Sequence, residues 1–244
     1  MRLFRPLAGG LLYLGFLAST SFGADAPPSP LRLLPDQPDL VVQINQPRRL
    51  VESAVKLDLL KQLQTFSIVR EQLDSTNARK GRQLLAYLER ELGGKWPELF
   101  DKLAGGGIAV AATYRAEQSP ALLVVQGKDE KLTEKFLKLA LEVIEQELAR
   151  QESKEKPVKG SYEDIDTVSF GKNFHLARVG AALLIASTEK ELHAGLDRHL
   201  GKEKKSLADS TLLPEADKLL PKDAFATVWL NMETVRKAPG ASTV

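Results

Sequence analysis

Near the start of the chain stands the stretch Leu33-Leu34-Pro35-Asp36-Gln37-Pro38-Asp39-Leu40-Val41-Val42-Gln43-Ile44-Asn45. A degenerate copy stands near the other end, Leu219-Leu220-Pro221-Lys222-Asp223-Ala224-Phe225-Ala226-Thr227-Val228-Trp229-Leu230-Asn231. The Leu-Leu-Pro triplet and the closing Asn have the same spacing in both copies. Each copy predicts a loop punctuated by proline, then a buried strand, then an Asn that begins a helix. The chain between the two copies is therefore expected to form one packed unit.

The composition is typical of a globular protein with an aliphatic core. Of the 244 residues, 43% are hydrophobic and 27% are charged, which is far from the balance of a disordered chain. Only 6% are aromatic, so Leu, Val, Ile and Ala must supply most of the buried surface. The length fits one large or two small domains and allows a sizeable core.

Residues 1–24 have the three-part pattern of a cleaved signal peptide. Arg2 and Arg5 form a positive start, residues 7–17 are an apolar run, and residues 18–24 are mostly small. The alternatives are a buried helix or a membrane anchor, but the apolar run is short for a bilayer span. We expect export, with cleavage after position 23, 24 or 26.

Charge and cysteine content exclude several classes of protein. Without residues 1–24, which hold two basic and no acidic residues, 32 basic residues balance 32 acidic ones. A neutral chain has no basic footprint for nucleic acid. The absence of cysteine excludes disulfides, thiolate metal sites, cysteine nucleophiles and a lipid-modified cysteine. No later segment approaches transmembrane length, so we expect a soluble periplasmic or extracellular protein with no integral membrane segment after cleavage.

Hydrophobic periodicity predicts an α+β fold in the order β-α-ββ-α-βββ-α-β. The expected strands span residues 40–44, 107–114, 121–126, 168–170, 174–179, 181–187 and 224–230, and the main helices span residues 47–90, 96–103, 130–151 and 189–200. This order favours a mainly antiparallel sheet with helices packed on one face, as in ferredoxin-like units. The predicted organisation is a signal peptide (1–24), a proline-rich linker (25–32), a single α+β domain (33–237) and a flexible tail (238–244).

The histidines and glycines have no arrangement that indicates a metal or phosphate site. His175 is expected in a strand, whereas His193 and His199 lie six apart on one helix and so on different faces. We expect surface or cap-adjacent roles for them and predict no metal site. Gly105-Gly106-Gly107 lies between a helix and a strand, the reverse of the order in a phosphate-binding loop. Gly127-Lys128 has the right order but lacks the other glycines, so no cofactor site is predicted.

Two charged clusters are better explained as solvated loops. Glu163, Asp164 and Asp166 could hold Ca²⁺, but a calcium loop needs more ligands at set spacing and a glycine. The basic loop Lys202, Lys204 and Lys205 is interrupted by Glu203 and has no interleaved aromatic residue. No nucleophile motif is present, so the sequence predicts no catalytic residue.

Short motifs resemble a family of uncharacterised bacterial exported proteins, which is frequent in planctomycete-type bacteria. They are the two Leu-Leu-Pro units, the Ala-Leu-Leu-Val-Val segment, Gly180 to Ser187, and Ser206-Leu207-Ala208-Asp209. The resemblance covers about residues 31–235 and supplies no catalytic residues. Members are often longer, so it implies a shortened member in which residues 224–230 still form the last strand of the sheet.

We therefore expect a non-catalytic binding or scaffold module of the bacterial cell envelope, with an unknown envelope protein or ligand as partner. The alternative is a hydrolase or an apolar-ligand carrier with a pocket between the helices and the sheet. A deep pocket with converging polar groups would favour the enzyme, and an empty apolar cavity would favour the carrier. A flat exposed apolar patch would favour the scaffold.

Overall fold

The computed structural model describes residues 27–56, 76–115, 119–153, 156–210, 213, 215, 218, 220, 221 and 224–237. The predicted signal peptide, the predicted tail and residues 57–75 of the first predicted helical region lie outside the described residues. The described residues contain one eight-stranded sheet, in which each pair of neighbouring strands is antiparallel.

The strand order across the sheet is β4-β5-β6-β7-β3-β2-β1-β8. The strands are β1 (Leu40–Ile44), β2 (Gly107–Ala112), β3 (Ala121–Gln126), β4 (Val158–Tyr162), β5 (Ile165–Phe170), β6 (Phe174–Val179), β7 (Ala182–Ala186) and β8 (Ala226–Leu230). The helices in the described residues are α1 (Pro47–Lys56), α2 (Thr76–Leu92), α3 (Trp96–Ala104), α4 (Glu130–Arg150), α5 (Glu189–His199) and α6 (Met232–Lys237). Two short 3-10 turns span Pro30–Leu33 and Leu207–Asp209.

Local signals set the ends of several helices where the sequence predicts them. Asp129 caps α4 by accepting a hydrogen bond from the backbone N–H of Leu132 at 3.0 Å. Thr188 caps α5 in the same way, because its hydroxyl oxygen accepts a hydrogen bond from the backbone N–H of Glu191. Gly93 ends α2 with a φ of 74°, a left-handed conformation that glycine adopts without steric penalty.

One face of the sheet holds the main core. Leu33 and Leu34 are fully buried there beside Leu192 and Leu196 of α5. Gly195 lets α5 approach closely, because an added Cβ would lie 2.9 Å from the side chains of both Leu122 and Leu184. The 3-10 turn at Pro30–Leu33 is part of this packing and its Pro30 is buried. The packed region therefore begins by Pro30, before the predicted domain boundary at residue 33.

The opposite face of the sheet carries the remaining helical layer. Arg178 of β6 forms ion pairs with Glu130 and Glu134 of α4, and it is paired in register with Leu183. Leu183 and the α5 contact Leu184 are consecutive in β7 and so point to opposite faces. Helices α2, α3 and α4 build a second apolar cluster around Leu88, Leu92, Leu99 and Leu103.

The α+β class and the antiparallel sheet are confirmed. Helices lie on both faces of the sheet, which is a broader distribution than the one-face arrangement we expected. The reason is visible in β3 and β7, because their central residues are apolar at every position and need cover on both sides.

One strand was missed by the sequence pattern. Residues 158–162, Val-Lys-Gly-Ser-Tyr, form β4 at the outer edge of the sheet, and β5 begins at Ile165 instead of residue 168. Glu163 and Asp164 have φ values of 48° and 64° and form the tight turn between these strands. An edge strand with few apolar residues has almost no alternating hydrophobic signal, which is why the pattern did not predict it.

The two sequence repeats meet in the structure. β8 pairs with β1 in the register Val42↔Val228, so the equivalent valines of the two copies lie opposite each other. The flanking bonds are also equivalent: Asn45 N–H donates to Phe225 O at 2.9 Å, and Asn231 N–H donates to Asp39 O at 2.7 Å. The pairing therefore has an approximate local two-fold axis. The prediction that the second copy adds to the sheet as its last strand is confirmed.

Candidate functional site

β8 is the last strand of the sheet, and no described strand pairs with its outer edge. The bonds of Asn45 to Phe225 and of Asn231 to Asp39 show which pairs of this ladder are hydrogen-bonded. Because such pairs alternate along antiparallel strands, Thr227 and Trp229 direct their backbone groups to β1. The N–H and C=O groups of Ala226, Val228 and Leu230 point outward and are available to another strand.

Apolar side chains surround this free edge. Val228 is 70% exposed, and Leu230, Met232 and Tyr114 are also exposed. We call these four side chains the β8 surface. Val228 shares a sheet face with Val42, its partner in the register of β1 and β8. Exposed apolar side chains grouped in this way are typical of interaction sites.

A small apolar pocket adjoins the β8 surface. Its volume is about 300 Å³, and Leu40, Ala112, Tyr114 and Leu230 supply much of its wall. Asp39 stands at its rim, where its carboxylate accepts hydrogen bonds from the Tyr114 N–H at 2.8 Å and from a hydroxyl of α6. The carboxylate therefore ties β1 to its neighbours, and both of its oxygens have partners.

The opposite edge of the sheet differs in chemistry. β4 carries Lys159, which is paired with Glu145 of α4 at 3.8 Å, and it also contains Gly160. Charged residues on an edge strand prevent other strands from pairing with it. β8, with the sequence Ala-Thr-Val-Trp-Leu, has no charge, proline or glycine. Of the two edge strands in the described part of the chain, β8 alone combines an open edge with an unprotected sequence.

A polar groove of about 560 Å³ lies between α4 and strands β4 to β6. Four of its charged side chains are paired with one another: Glu134 with Lys138 at 2.8 Å and with Arg178 at 3.7 Å, and Glu130 with Arg178 at 3.3 Å. The hydrogen bond from Lys138 holds the pKa of Glu134 below its usual value. An ionised, paired carboxylate cannot act as a general acid near neutral pH. The charges of Glu130, Glu134 and Arg178 thus compensate one another within the groove.

The three histidines are placed apart. His175 is buried in β6, contrary to the surface role we expected; its Nδ1 lies 2.9 Å from Ser169 Oγ and its Nε2 lies 3.1 Å from Lys172 O. His193 stacks on the ring of Tyr162 with centroids 3.9 Å apart. His199 ends α5. No group of three potential metal-binding side chains lies together in the part of the chain that the structure describes.

The predicted acidic and basic loops contact each other. Glu163, in the β4–β5 turn, pairs with Lys202 at 2.6 Å. The Tyr162 hydroxyl donates to Asp197 of α5 at 2.9 Å, and this bond raises the pKa of Tyr162. Asp166 lies within β5. These contacts join the β4–β5 turn to the end of α5, and a tyrosine with a raised pKa is not an activated nucleophile.

The predicted glycine-rich segments are connections between elements. Gly105 and Gly106 link α3 to β2, where an added Cβ at Gly106 would lie 2.8 Å from the backbone oxygen of Gln126. Lys128 lies between β3 and α4 and pairs with Asp101 at 3.0 Å, so its charge is compensated within the protein.

Sequence reasoning did not find the residues of the β8 surface as a site, because the sequence pattern of a strand does not show whether its apolar side chains are buried or exposed in the folded protein.

The comparisons with known proteins add no assignment: no family model, curated protein or solved structure matches the chain. None of the helices in the described residues has both the length and the apolar character needed to cross a membrane. The fold and site thus define an α+β protein with an open, uncharged, apolar strand edge.

Proposed function

We propose that this protein is a non-catalytic binding or scaffold module of the bacterial cell envelope, acting outside the cytoplasm. The observation that carries the proposal is the free edge of β8 with its exposed apolar side chains. The signal-peptide pattern of residues 1–24 and the resemblance to exported bacterial proteins support the location. The compensated charges of the polar groove support a non-catalytic role.

The partner that best fits the free edge of β8 is an uncharged, extended segment of another envelope protein. On its inner edge β8 accepts β1, whose Leu40, Val42 and Ile44 lie on the same face as Ala226, Val228 and Leu230. A segment with branched apolar residues at every second position would repeat these contacts on the outer edge. Main-chain hydrogen bonds would give such a complex its affinity, and the side chains would give it specificity.

A second candidate function is the carriage of a small apolar ligand. The apolar pocket beside Tyr114 favours it, although its volume of about 300 Å³ is at the lower end for ligand sites. An environment-sensitive apolar dye distinguishes the two functions. Under the leading proposal, a mild extract of cell lipids does not displace dye that is bound in this pocket. The dye also does not compete with the protein partner for binding.

Site-specific photocrosslinking in the producing cell tests the leading proposal. A photoreactive residue at position 228 should form one discrete adduct with an envelope protein, whereas the same residue at position 158 should not. Val158 is a matched control because it lies on the other edge strand and is 66% exposed, against 70% for Val228. In the purified complex, the Val228 amide should exchange its hydrogen at least about ten-fold more slowly than in the free protein, since a new strand bond protects it.

Val228→Lys should abolish the adduct and the exchange protection without lowering the melting temperature, because the lysine faces solvent and places a charge on the edge. Val158→Lys should change neither. Equal adducts from both edges, or an unprotected Val228 amide in the complex, would refute strand addition. An adduct formed only between two copies of this chain would replace the heterologous partner with self-pairing.

A further inference from the structure

A third cavity, independent of the β8 surface, lies where the chain enters the core. Its volume is about 450 Å³, and it is bordered by Pro28, Arg32, Gln126, Val179, Gly180 and His199. These residues come from the first 3-10 turn and the segment before it, the end of β3, the β6–β7 turn and the last turn of α5. Four separate parts of the chain thus converge on a single opening that holds one guanidinium group.

The charge of Arg32 has no partner in the described part of the chain. Its Nε is buried without a hydrogen bond, and no acidic side chain among the described residues is seen to form an ion pair with it. Burial lowers the pKa of the Arg32 guanidinium from its ordinary value. By contrast, Arg178 pairs with two glutamates, and Arg198 pairs with Glu203 at 2.8 Å. An uncompensated, partly desolvated guanidinium is a strong site for an anion.

Gln126, which has an unused hydrogen-bond acceptor, borders the same cavity. The residue is 2% exposed, and its Nε2 donates to Gly127 O at 3.0 Å, which fixes the orientation of the amide. Its Oε1 is buried with no hydrogen-bond partner among the described residues. A buried carbonyl oxygen without a donor is unfavourable, so a ligand that brings an N–H would be stabilised here.

The balance of charge selects a monoanion. Lys128 also borders the cavity, but Asp101 neutralises it. Burial, followed by the charge of Arg32, lowers the pKa of His199, so its imidazole is neutral near pH 7. One positive charge therefore faces the cavity, which suits a carboxylate better than a phosphate dianion. Pro28 and Val179 supply apolar wall for a short side chain beside the charged group.

We propose that this cavity binds a small carboxylate that carries an N–H donor next to the charged group, the arrangement found at the carboxyl end of a peptide. The carboxylate would bind Arg32 through charge-assisted hydrogen bonds, and the adjacent N–H would donate to Gln126 Oε1. The site needs no residue of the β8 surface, so it stands whether or not strand addition occurs.

Proton NMR of the histidine ring signals tests the proposal on the purified protein. The chain has only three histidines, and His199→Gln assigns the signal that reports on the cavity. N-acetyl-L-alanine should shift the His199 signal with a Kd on the order of 1 mM, while the signals of His175 and His193 stay in place. Its uncharged methyl ester should bind at least about ten-fold more weakly, and so should acetate, which lacks the donor.

Variants separate the two contacts. Arg32→Gln should weaken binding of N-acetyl-L-alanine at least about ten-fold, because the charged partner is lost. Arg150→Gln, which removes an arginine at the far end of α4 outside this cavity, should leave binding unchanged. Gln126→Met should make N-acetyl-L-alanine and acetate bind alike, since it removes the acceptor and keeps the length of the side chain.

Three outcomes would overturn the proposal: tighter binding of inorganic phosphate than of N-acetyl-L-alanine, equal binding of the acid and its methyl ester, or retention of binding in Arg32→Gln. If circular dichroism shows that a variant is unfolded, the comparison of the acid with its ester on the unaltered protein decides. That comparison does not depend on any substitution.

Discussion

Leu34→Ala will lower the free energy of unfolding by about 3 kcal/mol, whereas Leu220→Ala will lower it by less than about 1 kcal/mol. The two leucines are equivalent in the sequence repeat. Leu34 is fully buried in the main core and accepts a hydrogen bond from Leu207 N–H through its backbone oxygen, but Leu220 is 38% exposed. Truncation of a buried leucine leaves a cavity as well as removing apolar contact, and truncation of an exposed one does neither to the same extent.

Urea denaturation followed by circular dichroism measures both changes. The midpoint should fall clearly for Leu34→Ala and hardly for Leu220→Ala, with the slope against urea unchanged in each. Equal losses of stability would mean that the two copies of the repeat contribute alike to the core. The burial of Leu34 would then be the wrong basis for assigning the core to the first copy.

Gly127→Ala will lower the free energy of unfolding by about 3 kcal/mol. An added Cβ would lie 2.8 Å from Thr133 Oγ1, 2.9 Å from Ala181 O and 3.1 Å from Lys102 O. The Gly127 N–H also donates to Ala181 O at 2.9 Å. Relief of the contacts would move the β3–α4 connection away from both the β6–β7 turn and the end of α3.

Gly81→Ala is the matched control, and its effect has the opposite sign. Gly81 is exposed within α2, and an added Cβ would meet no atom within 4 Å. Alanine should therefore raise the free energy of unfolding by about 0.5–1 kcal/mol through its better helix propensity. Thermal unfolding of both variants checks the pair. A neutral Gly127→Ala would show that the connection can shift without loss of its hydrogen bonds.

The connection at Gly127 also borders the cavity that contains Arg32. The steric argument and the ligand argument can be separated, because Gly127→Ala changes stability while Arg32→Gln removes only a charge. Gly127→Ala thus tests how tightly the segments pack at this point, and Arg32→Gln tests the charge that faces the cavity.

The sequence repeat shows which structural features could be predicted from local sequence and which could not. The spacing of Leu-Leu-Pro and Asn predicts two equivalent strands, and the structure pairs Val42 with Val228. Asn231 also begins α6 by accepting the N–H of Glu233, as its position predicts. The spacing could not show that the first pair of leucines is buried and that Leu220 is exposed, because burial depends on elements that are distant in sequence.

Some features arise from neighbouring residues and could be predicted from the sequence: the helix caps at Asp129 and Thr188, the stop at Gly93, and the apolar strands of an antiparallel α+β sheet. These follow from backbone hydrogen bonding and side-chain periodicity within a few residues. The tertiary structure alone decided the rest. It covered both faces of the sheet, left the edge of β8 open, and brought Arg32 to Gln126 without a counter-charge. Exposure and charge compensation depend on which distant segments pack together, and no local pattern contains that information.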